Sequence, residues 1–321
     1  GLVVGVTGSN GKTTVKEMIA AIFAKQGDVL ATRGNFNNDI GLPLTLLCMK
    51  KEQDFAVIEM GANHKGEIDG LTHITMPDIA LVTNAGSAHL EGFGSRQGIA
   101  EAKGEIFSGL SEKGIAVINA DDEYANYWRG LCKTKRIICF SLANKAADVT
   151  GEWQSAATGG KLKVHTKNND VEITLKVPGR HNAMNALAAI AVAQAAGVSL
   201  QNTQQALNEF ESVQGRLTIH ETAAGLKIID DTYNANPESL LAGLGVLMEM
   251  PGEHWLVLGD MGELGAQSRQ LHKDVGLSAR QKGVDCIYAI GENNKIAVEA
   301  FGKGGRHFED QNALIDCLTK T

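Results

Sequence analysis

Residues 1–14 read GLVVGVTGSNGKTT, and the reading of this stretch decides the fold. An apolar run from Leu2 to Val6 reaches a turn that holds Gly8, Asn10 and Gly11, and Lys12-Thr13-Thr14 then opens a helical pattern. Strand, glycine-rich turn and helix start, in that order, make an anion site. A helix N-terminus aims free N–H groups and the positive end of its dipole at one point. The usual phosphate-loop pattern, G-x-x-x-x-G-K-[ST], wants glycine where this chain has Val6. Gly5 and Gly8 flank that position, so the strand is expected to enter its turn later, with Gly8 taking up the bend. Lys12 is then placed for β- and γ-phosphate oxygens, and Thr13 for a magnesium ion.

Beyond the loop, FAVIEMG, DIALVTNAG, GIAVINA and RIICFSL are strand candidates, and GEIDGLTHI, SRQGIAEAKGEIFSGL and DEYANYWRGL between them have helical patterns. This alternation predicts a mostly parallel sheet with helices on both faces. Between Asp148 and Val177, KLKVHT and VEITLKV alternate in polarity around the turn residues GG and KNND. They predict antiparallel hairpins added at the sheet edge. After Gln214-Gly215-Arg216 a second series begins, with LKIIDD, HWLVLGD and CIYAIG as strands. The expected fold class is α/β. A P-loop-type nucleotide-binding domain is expected over 1–214, and a smaller Rossmann-like α/β domain over 215–321.

The chain has 321 residues, enough for two domains, with 43% hydrophobic and 21% charged residues. Its net charge of −7 weighs against a nucleic-acid partner. Five cysteines, odd in number and without a C-x-x-C pair, suit neither a zinc site nor a disulfide framework and fit a reducing compartment such as the cytoplasm. No apolar stretch is long enough to span a membrane, so no membrane partner is expected, and a monomer is. The sequence shows no signal peptide and no initiator Met, and it starts directly before a strand that reads as central; a fragment is expected.

In open α/β sheets ligands lie at the carboxyl ends of strands. Glu59 ends FAVIEMG, where a carboxylate can hold Mg²⁺ or simply be a solvated loop acid. Asn84 ends the next strand candidate, and His89 follows in a Gly-rich loop, where a lone histidine is more often structural. Lys103 reads as an ordinary helix lysine. Asn236-Pro237 reads as a helix start, with Asn236 capping and Pro237 at the first helical position. Asp260, Glu263 and His272 are equally candidates for an amine site and solvated loop groups.

Together these stretches resemble the Mur ligase family of ATP-dependent amide-forming enzymes. TGSNGKTT (7–14) is similar to that family's nucleotide loop, which also lacks the first glycine. The resemblance runs on through VIEMGA at Glu59, NAGSAHLEGFGS (84–95), EAKGEIF at Lys103 and GRHNAMNALAA (179–189). It continues through Gly215-Arg216, DDTYNANPES (230–239) and GDMGELG (259–265). GNFNNDIGLPLTLL (34–47) and YNANP (233–237) are most similar to the branch that adds D-alanyl-D-alanine to UDP-N-acetylmuramoyl-tripeptide in peptidoglycan synthesis.

The resemblance implies roles. Gly8, Asn10, Gly11, Lys12, Thr13 and Thr14 would bind ATP, with Asn182 and Asn185 near the adenine, Asp231 on the ribose side and Arg216 reaching the phosphates from the second domain. Thr13 and Glu59 would hold one Mg²⁺. His89 would help hold a second, with Lys103 if carbamylated. Lys12, His89, Lys103 and Arg216 would be catalytic, and Asn35, Asn37, Asn38, Asn234 and Asn236 would meet substrate. It also implies an N-terminal uridine-nucleotide domain that this sequence lacks, and a further strand and helix after Thr321. Another amino-acid ligase of the family, a folate-polyglutamylating relative, a nucleotide switch and a non-catalytic nucleotide-binding fragment are the alternatives.

Overall fold

The computed structural model describes residues 1–86, 90–167, 169–223 and 225–320. The chain divides into two compact units, residues 1–86 with 92–218, and residues 219–320 with 90–91. In the first unit, nine strands share one sheet. They are β1 (Leu2–Thr7), β2 (Val29–Ala31), β3 (Phe55–Glu59), β4 (Ile79–Val82), β5 (Ile115–Asn119), β6 (Arg136–Ser141), β7 (Val149–Ala156), β8 (Gly159–Thr166) and β9 (Asp170–Leu175). Their order is β2-β3-β1-β4-β5-β6-β7-β8-β9. Pairs from β2 across to β7 are parallel, and β7–β8 and β8–β9 are antiparallel. The parallel sheet and its hairpin edge are those the alternation predicts.

The helices up to residue 218 are α1 (Lys12–Phe23), α2 (Gly41–Leu47), α3 (Glu67–Thr75), α4 (Leu90–Phe93, whose first two residues group with the second unit), α5 (Arg96–Gly104), α6 (Ala125–Leu131), α7 (Arg180–Ala195) and α8 (Leu200–Glu209). Val15, Met18, Ile19 and Ile22 recur at helical spacing on α1, and all four are fully buried. They meet Val4 and Val6 of β1 and the small-residue helix α7 in one core. Each such side chain contributes about 1.5–3 kcal/mol by leaving water. Gly5, between the two valines, faces the opposite side of the sheet, toward Met60, Ile106 and Pro77. Both faces of β1 are therefore covered, which explains its unbroken apolar run.

The second unit contains a parallel sheet, β12 (Trp255–Leu258), β13 (Cys286–Ile290) and β14 (Gly305–Phe308), in that order. β10 (Thr218–Glu221) and β11 (Lys227–Asp230) form a separate two-stranded sheet. Helices α9 (Pro237–Leu247), α10 (Ser268–Lys282), α11 (Asn294–Phe301) and α12 (Gln311–Leu318) complete it. LKIIDD, expected as a strand, forms β11, which pairs with β10 and not with the strands of HWLVLGD and CIYAIG. Its strand is four residues long, with Lys227 and Ile228 exposed, so it lacks the two buried faces of a parallel strand. The third parallel strand is Gly-Arg-His-Phe, whose polar composition hides it from an apolar-run search.

Candidate nucleotide and metal site

β1 ends at Thr7, and the chain turns through residues 8–11 into α1. Gly8 has φ 146° and Gly11 φ 81°, a region that side chains disfavour. Space also demands glycine. A Cβ on Gly8 would lie 1.9 Å from Thr83 Oγ1, and one on Gly11 2.4 Å from Asn185 Oδ1. Val6 is a fully buried strand residue, two positions before the bend. The glycine of the usual pattern has no turn to make there.

The end of β4 clamps the loop. Ser9 N donates to the Asn84 carbonyl at 3.0 Å, and Asn10 N to Asn84 Oδ1 at 2.9 Å. Asn84 Nδ2 and Thr83 Oγ1 both donate to the Asn10 carbonyl, at 3.1 and 2.8 Å. Ser9 Oγ donates to the Gly86 carbonyl at 3.1 Å. Asp122, after β5, accepts from Ala85 N at 2.9 Å and so steadies the clamp. The sequence reading missed these supports. Their only signal was polar residues directly after apolar runs, at Thr83-Asn84 and Asp121-Asp122.

The Lys12 ammonium lies over the loop, donating to the Gly8 carbonyl at 2.8 Å and the Ser9 carbonyl at 3.2 Å. Burial pushes its pKa below the ordinary lysine value; Glu59 opposes this and the Arg216 charge adds to it. Thr13 and Thr14, one and two residues on, are buried in the first turn of α1. Thr13 Oγ1 accepts from Arg216 Nη2 at 3.3 Å. Arg216 is thus grouped with the first unit, in which β1 and α1 also lie.

Glu59 ends β3 beside the loop, in register with Val6, and is 2% exposed. Its Oε1 accepts from Asn37 Nδ2 at 2.8 Å. Its Oε2 is buried and has no hydrogen-bond partner among the described residues. A buried, unsatisfied carboxylate oxygen is costly unless a cation or donor meets it. With Thr13 Oγ1 as a second hard oxygen donor on the loop, the residues fit a magnesium ion that takes its other ligands from phosphate and water.

Lys103, in the last turn of α5, is 1% exposed, with Nζ 5.0 Å from the centre of the Phe93 ring. Burial lowers its pKa to about 7, the Lys12 charge adds to the effect, and Glu67 and Glu105 oppose it. This is no solvated helix lysine. Asn182 and Asn185 lie buried at the start of α7, with Asn185 Nδ2 donating to Asn182 Oδ1 at 3.1 Å and Asn182 Nδ2 to the Pro178 carbonyl at 2.8 Å. His89 lies outside the described residues.

The asparagines of residues 34–40 divide. Asn35 and Asn38 are exposed, and Asn38 Oδ1 accepts from Gly41 N at 2.8 Å ahead of α2. Asn37 turns inward to Glu59. In the second unit, Asp231, Asn234 and Asn236 follow β11. Asn234 Oδ1 accepts from Ala235 N at 2.9 Å. Asn236 caps α9, with Oδ1 accepting from Ser239 N at 2.9 Å, Asn236 N donating back to Ser239 Oγ at 3.1 Å, and Pro237 opening the helix. His272 is fully buried. Its Nε2 accepts from Met261 N at 3.2 Å, which leaves Nδ1 to donate to the Ser268 carbonyl at 2.8 Å. Asp260 accepts from Asn293 N at 3.2 Å and Asn294 N at 3.0 Å, at the start of α11. His272 is therefore a buried structural group, and Asp260, exposed on its loop, holds the start of α11.

Two family models match the chain: Mur ligase middle domain over residues 6–193, and Mur ligase, glutamate ligase domain over 215–321. The chain is 45% identical over 317 residues to UDP-N-acetylmuramoyl-tripeptide–D-alanyl-D-alanine ligase of Escherichia coli K12, covering 98% of this chain and 70% of that one. It is 40% identical over 319 residues to the ligase of the same name from Haemophilus influenzae, covering 98% and 69%. A crystal structure of MurF from Acinetobacter baumannii superposes with a TM-score of 0.95 at 38% identity, covering 99% of this chain and 70% of that one. MurF ligase from Thermotoga maritima, in complex with ADP, gives 0.88 at 29% identity, covering 100% and 73%.

Proposed function

This chain belongs to the Mur ligase family, and on that premise we infer that it is an ATP-dependent ligase that adds D-alanyl-D-alanine to UDP-N-acetylmuramoyl-tripeptide in peptidoglycan synthesis. The observation that carries the reading is the loop itself. Gly8 and Gly11 have φ of 146° and 81°, Lys12 donates to the loop carbonyls within the field of Glu59, and that buried carboxylate has one unsatisfied oxygen among the described residues.

In the mechanism we propose, the tripeptide carboxylate attacks the γ-phosphorus of ATP and ADP leaves. The amine of D-alanyl-D-alanine then adds to the acyl phosphate, and the tetrahedral intermediate expels phosphate to form the amide. Both partners of the first step are anionic, so the protein's task is to gather positive charge. The α1 N-terminus and Lys12 take the phosphate oxygens, and Arg216 lies against Thr13 on the same unit. Magnesium, when bound, neutralises phosphate charge and orients the transferred group. Thr13 and Glu59 would hold one ion. His89 and Lys103 would hold a second, Lys103 after adding carbon dioxide and losing a proton to become an anionic carbamate. A buried amine with a pKa of about 7 has the neutral form which that addition requires. Asn185 supports the loop from α7, Asp231 would meet the ribose, and Asn234 and Asn236 would meet substrate. Among the described residues no helix is long and apolar enough to cross a membrane.

Phosphate release from ATP, measured with and without UDP-N-acetylmuramoyl-tripeptide and D-alanyl-D-alanine, tests the reading. Release that needs both substrates is expected. Release indifferent to them would instead identify a nucleotide switch.

A further inference from the structure

Glu59 has one oxygen tied and one left over. Asn37 Nδ2 donates to Oε1 at 2.8 Å, while Oε2 is buried without a hydrogen-bond partner among the described residues. The carboxamide can face Glu59 only through its nitrogen, since turning it over would set two acceptor oxygens against each other. Asn37 is itself seated. Its carbonyl accepts from Gly61 N at 2.8 Å. A Cβ on Gly61 would lie 2.7 Å from Asn37 Oδ1, so the glycine of Glu59-Met60-Gly61 makes room for this one carboxamide. The Glu59 main chain is fixed as well, through β3 pairing with β1 and through its amide, which donates to Thr32 Oγ1 at 2.9 Å.

We infer that Asn37 is a positioning residue for the divalent cation: it locks the Glu59 carboxylate so that Oε2 is the oxygen offered. The asparagine-rich stretch therefore serves the metal side of the reaction through residue 37, and the substrate side is left to its exposed asparagines. An unrestrained glutamate rotates about its last bond and presents either oxygen; a hydrogen bond to one of them selects the other. Removing such an outer partner of a metal ligand typically weakens metal binding about 10–100-fold. The inference rests on the reading of Glu59 as a metal ligand.

The test is Mn²⁺ affinity in the presence of ADP, followed by electron paramagnetic resonance, for wild type, Asn37→Ala, Glu59→Gln and the double variant. Asn37→Ala is expected to weaken binding about tenfold. Glu59→Gln should weaken it further, and the double variant should equal Glu59→Gln alone, because Asn37 acts only through that carboxylate. The Asn37–Gly61 backbone bond survives the substitution, and Asn37→Ser, with an unchanged thermal midpoint as the check, replaces the alanine variant if that one is poorly folded. Wild-type affinity in Asn37→Ala, with Glu59→Gln weakened, overturns the positioning role and leaves Glu59 as a ligand. Wild-type affinity in Glu59→Gln overturns both. An equal loss from Asn37→Ala in either background marks a purely structural loop residue and also overturns the inference.

Discussion

The backbone of Gly11 lies directly against the carboxamide of Asn185: a Cβ there would be 2.4 Å from Oδ1. The start of α1 is thus pressed onto the first turns of α7, and the phosphate loop packs against a side chain that lies far along the chain, at residue 185. Sequence reading placed both residues at a nucleotide without showing that they touch.

Gly11→Ala should therefore be doubly unfavourable, through φ of 81° and through the contact with Asn185. A loss of roughly 1–3 kcal/mol is expected in urea unfolding. Asn185→Ala in the same chain should recover the contact part only, giving a coupling that a double-mutant cycle reads out. Simple additivity of the two changes would contradict the packing described.

Lys12→Ala removes the ammonium that donates to the Gly8 and Ser9 carbonyls of the loop. Ligation should fall by roughly 100-fold or more, as when a preorganised donor to a developing anion is deleted. Near-normal turnover in a phosphate-release assay would refute the role.

Asn236 caps α9 in a reciprocal pair with Ser239. Asn236→Ala should cost about 1 kcal/mol of stability, and Asn236→Ser, another good cap, should restore most of it. Measuring ligation in the serine variant separates the two roles. Restored stability with low turnover supports a substrate contact, and full recovery of both leaves only the cap.

Lys103 sets a pH dependence whose sign is opposite to that of a paired lysine. Its folded pKa is about 7, against 10.5 for an ordinary lysine. Between these values the unfolded chain holds the extra proton, so this residue's contribution to stability rises with pH across that window and is least favourable below pH 7. Lys103→Met should raise the thermal midpoint relative to wild type at about pH 6, in buffer freed of carbon dioxide, with the advantage shrinking toward about pH 10. A difference independent of pH would show that the amine does not titrate in this window.

The local order of residue types was enough to establish the strand, glycine turn and helix of residues 2–23, the parallel sheet with its hairpin edge, and Glu59 at a strand end. Each is written within a few residues: apolar runs of strand length, the 3.6-residue spacing of Val15, Met18, Ile19 and Ile22, and glycines where φ is positive. Tertiary structure alone decided the rest. Asn84 clamps Asn10 across 74 positions, Asn37 reaches Glu59 across 22, and Arg216 reaches Thr13 across 203. No local pattern encodes such pairs, because they exist only once the sheet has brought its strand ends together. The same holds for Lys103 and His272. A lysine on a polar-looking helix reads as solvated, and a histidine among charged neighbours leaves its role open; only packing showed both to be sealed from water, which lowered the pKa of the first and turned the second into a buried structural bond.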